Sequence, residues 1–270
     1  MLGYSLSSFV KNNSKKIKTI CIFLLISSIV LKIFIETDDL PSGEILLFWD
    51  YVFCSIESLP CTLFFVPIMF TYLISGIFVD DIELGNVEMI AIRYEDRFQY
   101  LIEKVISLMI ISILFYSMML FFILCIGLIF FLPMKGNYFS DIMVYSSVTG
   151  VSPIGLLVNL SLIYIMQLIF IGMFALTISI FTKDRTYIFI GLSSLIIFGR
   201  IFYMTSLMRF SPLTQSILSS HYPYITEKYS SKISSYTATF SLLFLLLLSI
   251  LFFLIQYLRI RKMPLVKKGN

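Results

Sequence analysis

The chain has one histidine in 270 residues, His221, and nowhere the pattern Gly-x-x-x-x-Gly-Lys-Ser/Thr. The scarcity of histidine removes any metal site or acid–base dyad that needs two of them, the His-Glu-x-x-His zinc signature included. A Ser–His hydrolase would depend on His221 alone, and none is expected. The missing P-loop means that this chain does not itself cradle nucleotide phosphates, so any ATP must be hydrolysed by another chain. Cysteine is sparse too, at positions 21, 54, 61 and 125. Only Cys54 and Cys61 share a predicted non-cytoplasmic region. On a helix, seven residues put them about 10 Å apart, beyond the ~7 Å reach of a disulfide, so free thiols are expected. Charge is scarce as well, at 13% of residues, about half the roughly 25% of a soluble domain.

What fills the space is hydrocarbon. Apolar residues make up 59% of the chain, 27 of them Phe, and the mean hydropathy is +0.95. A soluble domain carries about 45–50% apolar residues and could not bury this excess. The net charge of +4 and pI near 8.8 do not point to nucleic acid, because the basic residues cluster beside apolar runs, where membrane topology requires them.

About 20 apolar residues span the ~30 Å hydrocarbon core of a bilayer. Six runs qualify: 17–35, 59–79, 105–132, 154–181, 187–207 and 238–258. The second contains Pro60 and Pro67. The first is longer than the core of a signal peptide and lacks a small-x-small cleavage site before the acidic stretch Glu36-Thr-Asp-Asp39, so it is expected to stay in the membrane. No repeat relates the two halves.

With the N-terminus inside, fourteen of the twenty Lys and Arg fall on the cytoplasmic side. The first outer loop, 36–58, carries six acidic residues and no basic one. The positive-inside rule therefore predicts an all-α polytopic protein with six transmembrane helices and both termini in the cytoplasm. Residues 1–18 form a basic interfacial segment suited to anionic lipid. Residues 208–237 form an outer loop long enough for short re-entrant helices, and His221 is expected there without catalytic duty.

Residues 80–104 join the second and third spans on the cytoplasmic side. Their charges are dense, yet Val87, Ile90 and Ala91, then Tyr94, Phe98 and Leu101, recur at helical spacing. Acidic residues lead in and basic ones close, which complements a helix dipole. By pattern alone this is one or two short amphipathic helices at the membrane surface.

The segment resembles the cytoplasmic loop after the second span in permeases of type-2 ABC exporters, the ABC-2 family. There an acidic-x-Gly-x-x-Glu core is followed by an Arg and then by a Lys that opens the third span. Glu83, Gly85, Glu88, Arg97 and Lys104 occupy those positions, while Tyr94 stands where Pro is usual and Glu103 where Gly is usual. The resemblance implies a coupling helix that docks in a cleft of a separate ATPase, with Glu83, Gly85, Glu88, Arg93 and Arg97 as contacts and Lys104 as a hinge anchor. It implies two ATPase subunits that bind ATP and Mg, a second permease chain, identical or related, and no cofactor in this chain. The expected activity is export of an amphipathic substrate across the cytoplasmic membrane of a bacterium: an antimicrobial peptide such as a bacteriocin, a lipid-linked molecule or a drug. Classes that remain open are an intramembrane enzyme acting on lipid or peptide and a non-catalytic membrane immunity or assembly protein.

Polar residues inside spans complete the candidates, because charge in hydrocarbon is costly and usually functional. Arg200 lies about 20 Å into the fifth span, where it could line a pathway or meet a partner across an interface. Asn159 and Gln167 fall roughly on one face of the fourth span and are expected to hydrogen-bond between helices. Lys32, near the outer end of the first, can snorkel.

Overall fold

A computed structural model describes residues 13–35, 47–76, 79, 97–131, 142–143, 146, 150–203, 205, 207–221 and 236–262. Among these residues the chain is helical, with no strand. In order come α1 (Ser14–Phe34), α2 (Phe48–Glu57), a π-helical turn (Pro60–Phe65), α3 (Val66–Ile74), α4 (Arg97–Phe130), α5 (Pro153–Thr182), α6 (Arg185–Phe202), three 3₁₀ turns (Met208–Phe210, Pro212–Thr214, Leu218–Ser220) and α7 (Ala238–Lys262). Five helices, α1, α4, α5, α6 and α7, are each long and apolar enough to cross a membrane. α2 and the Pro60–Ile74 segment, which meet at 43°, are together long and apolar enough to make a sixth if the bent pair is counted as one span.

The break has a chemical cause. Pro60 and Pro67 both lack an N–H, so the helix cannot close its ordinary ladder there. The backbone widens instead, and Val66 N–H reaches back to Cys61 O, five residues earlier. Ser58, with ψ 135, marks the corner. Residues expected in an acidic outer loop thus form a buried helix: Phe48, Asp50, Tyr51, Val52, Phe53, Ser55 and Ile56 are all buried. Gly127 of α4 makes room for α2, since a Cβ there would lie 2.9 Å from the Phe48 ring and 3.2 Å from Tyr51. Tyr51 also stacks on Phe131 at 4.9 Å and donates its hydroxyl proton to Ser28 O at 3.0 Å, which ties α2 to α4 and α1.

α5 is the central post. Half of its most apolar stretch is buried, against a third or less in the other four long helices. Pro153 opens it behind Ser152, whose Oγ accepts the Gly155 N–H. At its far end Lys183 takes the left-handed conformation with φ 58, and Asp184 then caps α6 by accepting the Thr186 N–H at 2.8 Å. Two residues therefore reverse the chain and make α5 and α6 antiparallel neighbours.

α7 packs along α5. In that seam Gln256 is fully buried and donates through Nε2 to Met173 O and to Thr177 Oγ1, both at 2.8 Å. Replacing Gln256 by Leu keeps the volume and removes both bonds. We expect a loss of about 0.5–2 kcal/mol, the range for interhelical hydrogen bonds in membranes, read as a lower midpoint in detergent unfolding. Adding Thr177→Val should cost less than its separate effect, because the two share one bond.

Two boundaries differ from the sequence expectation. The helix that carries the third apolar run begins not at residue 105 but at Arg97, so Phe98, Leu101, Glu103 and Lys104 belong to one unbroken helix of 34 residues. The fifth ends at Phe202 rather than Leu207, which shortens it to 18 residues. None of the four cysteines is in a disulfide, as the spacing of Cys54 and Cys61 predicts for that pair.

Candidate functional site

The starts of α4 and α6 and the ends of α5 and α7 gather at one end of the bundle. Leu101, Leu176, Ile180 and Ile260 form a small buried cluster there, apart from the main core, with Tyr100, Val105, Phe253 and Tyr257 packed on it. Phe98 sets its ring edge-on to Tyr257 at 5.4 Å and to Phe253 at 6.3 Å. The Arg259 guanidinium lies 5.1 Å over the Phe181 ring. The first turns of α4 are thereby fastened to the ends of α5 and α7 by interlocked aromatic and aliphatic groups.

Of the residues expected to touch a partner ATPase, Glu83, Gly85, Glu88 and Arg93 lie outside the described residues. Arg97 is the first residue of α4. Lys104 sits two turns further in, half-buried, with its ammonium 5.4 Å over the Tyr100 ring one turn back. It therefore lies within the helix rather than at its opening.

The intramembrane candidates do not converge. Arg200 is exposed and stands in the last turn of α6, two residues from its end. Because α6 stops at Phe202, the guanidinium is close enough to a helix end to snorkel, and its charge complements the dipole there. Asn159 is exposed, whereas Gln167 is fully buried and accepts the Ser216 N–H at 3.1 Å through Oε1. Eight residues turn a helix about 80° off register, enough to part the two on a central helix. Gln167 thus holds the loop after α6, where a bond to a neighbouring helix was expected.

That loop is the second polar region. Residues 207–221 fold as a cap of 3₁₀ turns, in which Leu213, Thr214, Gln215, Ser216, Leu218 and His221 are buried. Gln215 donates through Nε2 to Arg209 O at 2.9 Å and Ser211 O at 2.8 Å, leaving Oε1 to accept from Ser241 at 2.6 Å. His221 places Nδ1 2.8 Å from Ile217 O and Nε2 2.6 Å from Ser241 Oγ. Tyr236 stacks on the imidazole at 4.0 Å and donates to Thr214 O at 3.2 Å. Glu57, the last residue of α2, accepts the Ser219 N–H at 3.2 Å. Burial pushes the His221 pKa down to about 4, against the opposing pull of its bonds to Ile217 and Leu218, and raises that of Tyr236.

The Ser241–His221 pair was not legible in the sequence, because its partners stand twenty positions apart on different elements and match no motif. Both side chains are fully buried. Among the described residues no group of three His, Cys, Asp or Glu side chains is placed to hold a metal ion.

These long apolar helices, packed around a central one and clothed in exposed Ile, Leu and Phe, define a multi-pass membrane protein. No protein-family model matches the chain, and no curated protein matches it.

Proposed function

We propose that this chain is the membrane subunit of a type-2 ABC exporter. It works with two ATPase subunits and a second permease, identical or related. In this reading there are six spans, both termini lie in the cytoplasm of a bacterium, and residues 80–104 meet the ATPase. ATP binding closes the ATPases and pushes the coupling segment, which switches a pathway between the two permeases from inward to outward access. The cargo is amphipathic: an antimicrobial peptide, a lipid-linked molecule or a drug. No bond is made or broken by this chain.

The observation that carries the reading is the continuity of α4. A helix of 34 residues is about 51 Å long, some 20 Å more than the hydrocarbon thickness. It therefore extends from the segment with the coupling motif straight into the bundle, and its base is fastened to α5 and α7 through the Leu101 cluster. A force applied near Arg97 moves three helices rather than one loop. The exposed basic residues of the same end, Lys183 and Arg259 among them, suit an inner-leaflet position.

Co-purification tests the proposal. If a P-loop ATPase is encoded beside it, the chain expressed together with that ATPase should retain it through detergent extraction. Failure of any ATPase to bind, with biological activity kept by the isolated chain, contradicts it. The 2.6 Å Ser241–His221 contact favours an intramembrane hydrolase as the second reading. Against that reading, both groups are sealed from substrate, and Ser241→Ala should leave function in cells unchanged.

A further inference from the structure

The cap contains three short polar contacts in a row: His221 Nδ1 to Ile217 O, His221 Nε2 to Ser241 Oγ, and Ser241 Oγ to Gln215 Oε1. Each needs one proton between its two atoms. Gln215 cannot supply one, because both protons of its amide are directed to Arg209 O and Ser211 O; turning the amide round would set Oε1 against those two carbonyls. A neutral imidazole brings one proton and the Ser241 hydroxyl one, which makes two for three contacts. The ring then donates to Ile217 O, and the serine proton is claimed by both Nε2 and Gln215 Oε1. An imidazolium supplies the third. Nε2–H donates to Ser241 Oγ, whose own proton passes to Gln215, and every contact is filled.

We propose that His221 is a proton-binding site that fastens the 207–221 cap to the start of α7 while the ring is neutral and loosens it when the ring takes up a second proton.

Magnitudes decide the direction. The added hydrogen bond is worth on the order of 1 kcal/mol, whereas a buried charge that meets no carboxylate among the described residues costs several. The ring is fully buried. Titratable groups from the packed elements do not offset the cost. From α2 comes Glu57, whose carboxylate is held by the Ser219 N–H. From the residues leading into α7 comes Tyr236, whose hydroxyl is turned to Thr214 O. α5 contributes Gln167 and the start of α7 contributes Ser241, neither charged at any pH of interest. The neutral ring wins at pH 7, in agreement with a pKa lowered to about 4 by burial. The waiting acceptor on Ser241 keeps the charged form within reach instead of excluding it.

The sign follows from linkage. A histidine whose folded pKa lies below its free value near 6.5 contributes attachment that is complete above pH 6.5 and is lost as pH falls toward 4. The chain's other links from cap to bundle, Gln167 to Ser216 and Glu57 to Ser219, make the expected result a loosened cap rather than a dissociated helix. On the proposed topology the cap faces outward and would read external acidity. That clause rests on the exporter reading, and the proton site does not.

As the only histidine, His221 gives one set of imidazole signals in ¹³C,¹⁵N-His-labelled full-length protein in micelles. Its midpoint should lie at least one pH unit below 6.5, and Ser241→Ala, which removes the waiting acceptor, should lower it further. Hydrogen exchange of 212–221, normalised to α5 and to intrinsic rates, should rise between pH 7.5 and 4.5 by up to about a hundredfold, and should stay flat in His221→Gln. A midpoint at or above 6.5, no shift in Ser241→Ala, or the wild-type rise persisting in His221→Gln would each overturn the proposal. None of these readouts involves an ATPase, so they stand or fall separately from the exporter assignment.

Discussion

Gly172→Leu should prevent assembly of the bundle, and Leu108→Ala should restore it in part. Gly172 lies on α5 where α4 crosses, and a Cβ at that position would sit 2.7 Å from Leu108 Cδ2 and 2.8 Å from its Cγ. The whole end of the leucine side chain fills the notch. Leu108 is itself only 1% exposed, so it can yield only into the small void that it and Gly172 share with Ala175, Leu176 and Ile188, which has room for about a water molecule. Even Gly172→Ala should cost about 1–3 kcal/mol, the range for overpacking a close-packed interior. A leucine adds three more carbons, more than that small void can take, and α4 and α5 must part. Small residues let membrane helices approach closely enough for dispersion to hold them, which is why this contact weighs more than a surface leucine. The check is the monodisperse fraction after detergent extraction: near zero for Gly172→Leu, recovered when Leu108→Ala supplies the missing volume, and non-additive as a pair.

The second large effect is expected at the loop. Reversing Glu88 and Arg97 to Lys and Glu, or placing Trp at Gly85, should reduce ATPase retention at least tenfold and abolish export. Like charges set against a partner cost several kcal/mol, and a bulky side chain bars close approach of the backbone. The isolated chain should keep its stability within about 0.5 kcal/mol. Arg97→Glu should if anything stabilise the isolated chain, because Arg97 is the first residue of α4 and an acidic group at a helix start favours the dipole. A drop in stability together with ATPase loss would mark these residues as structural rather than as contacts.

The spans that could be read from hydropathy were those whose sides all face lipid or other apolar helices. α1, α5 and α7 begin or end within a few residues of the apolar runs, since composition alone decides where hydrocarbon stops. α2 was not legible. Its ten residues are too few for a spanning run and follow an acidic stretch, and only the Gly127 notch and the Pro60 corner make a buried helix of them. The helical spacing of Phe98 and Leu101 was legible, but the charges of Arg97, Glu103 and Lys104 made this a separate surface helix, whereas Leu101 and the aromatic rings beside it join it to the span as one α4. The end of α6 fell short because Thr205 and Pro212 lie in turns that hydropathy does not weigh. Of the candidate site, the loop motif was visible as sequence, while the His221–Ser241–Gln215 chain needed the fold to bring residues from two elements together. The common cause is that periodicity records the solvent of a segment and not its neighbour.

The most direct test of the central claim is the native mass of the complex formed with the P-loop ATPase in detergent, in the presence of a non-hydrolysable ATP analogue. Two ATPase chains should bind two permease chains, either two copies of this one or this one with a related partner, and that mass should collapse when Gly85 is made Trp. A chain that migrates without any ATPase, at a mass unaffected by nucleotide, while cells expressing it alone keep its biological activity, would rule out the exporter assignment.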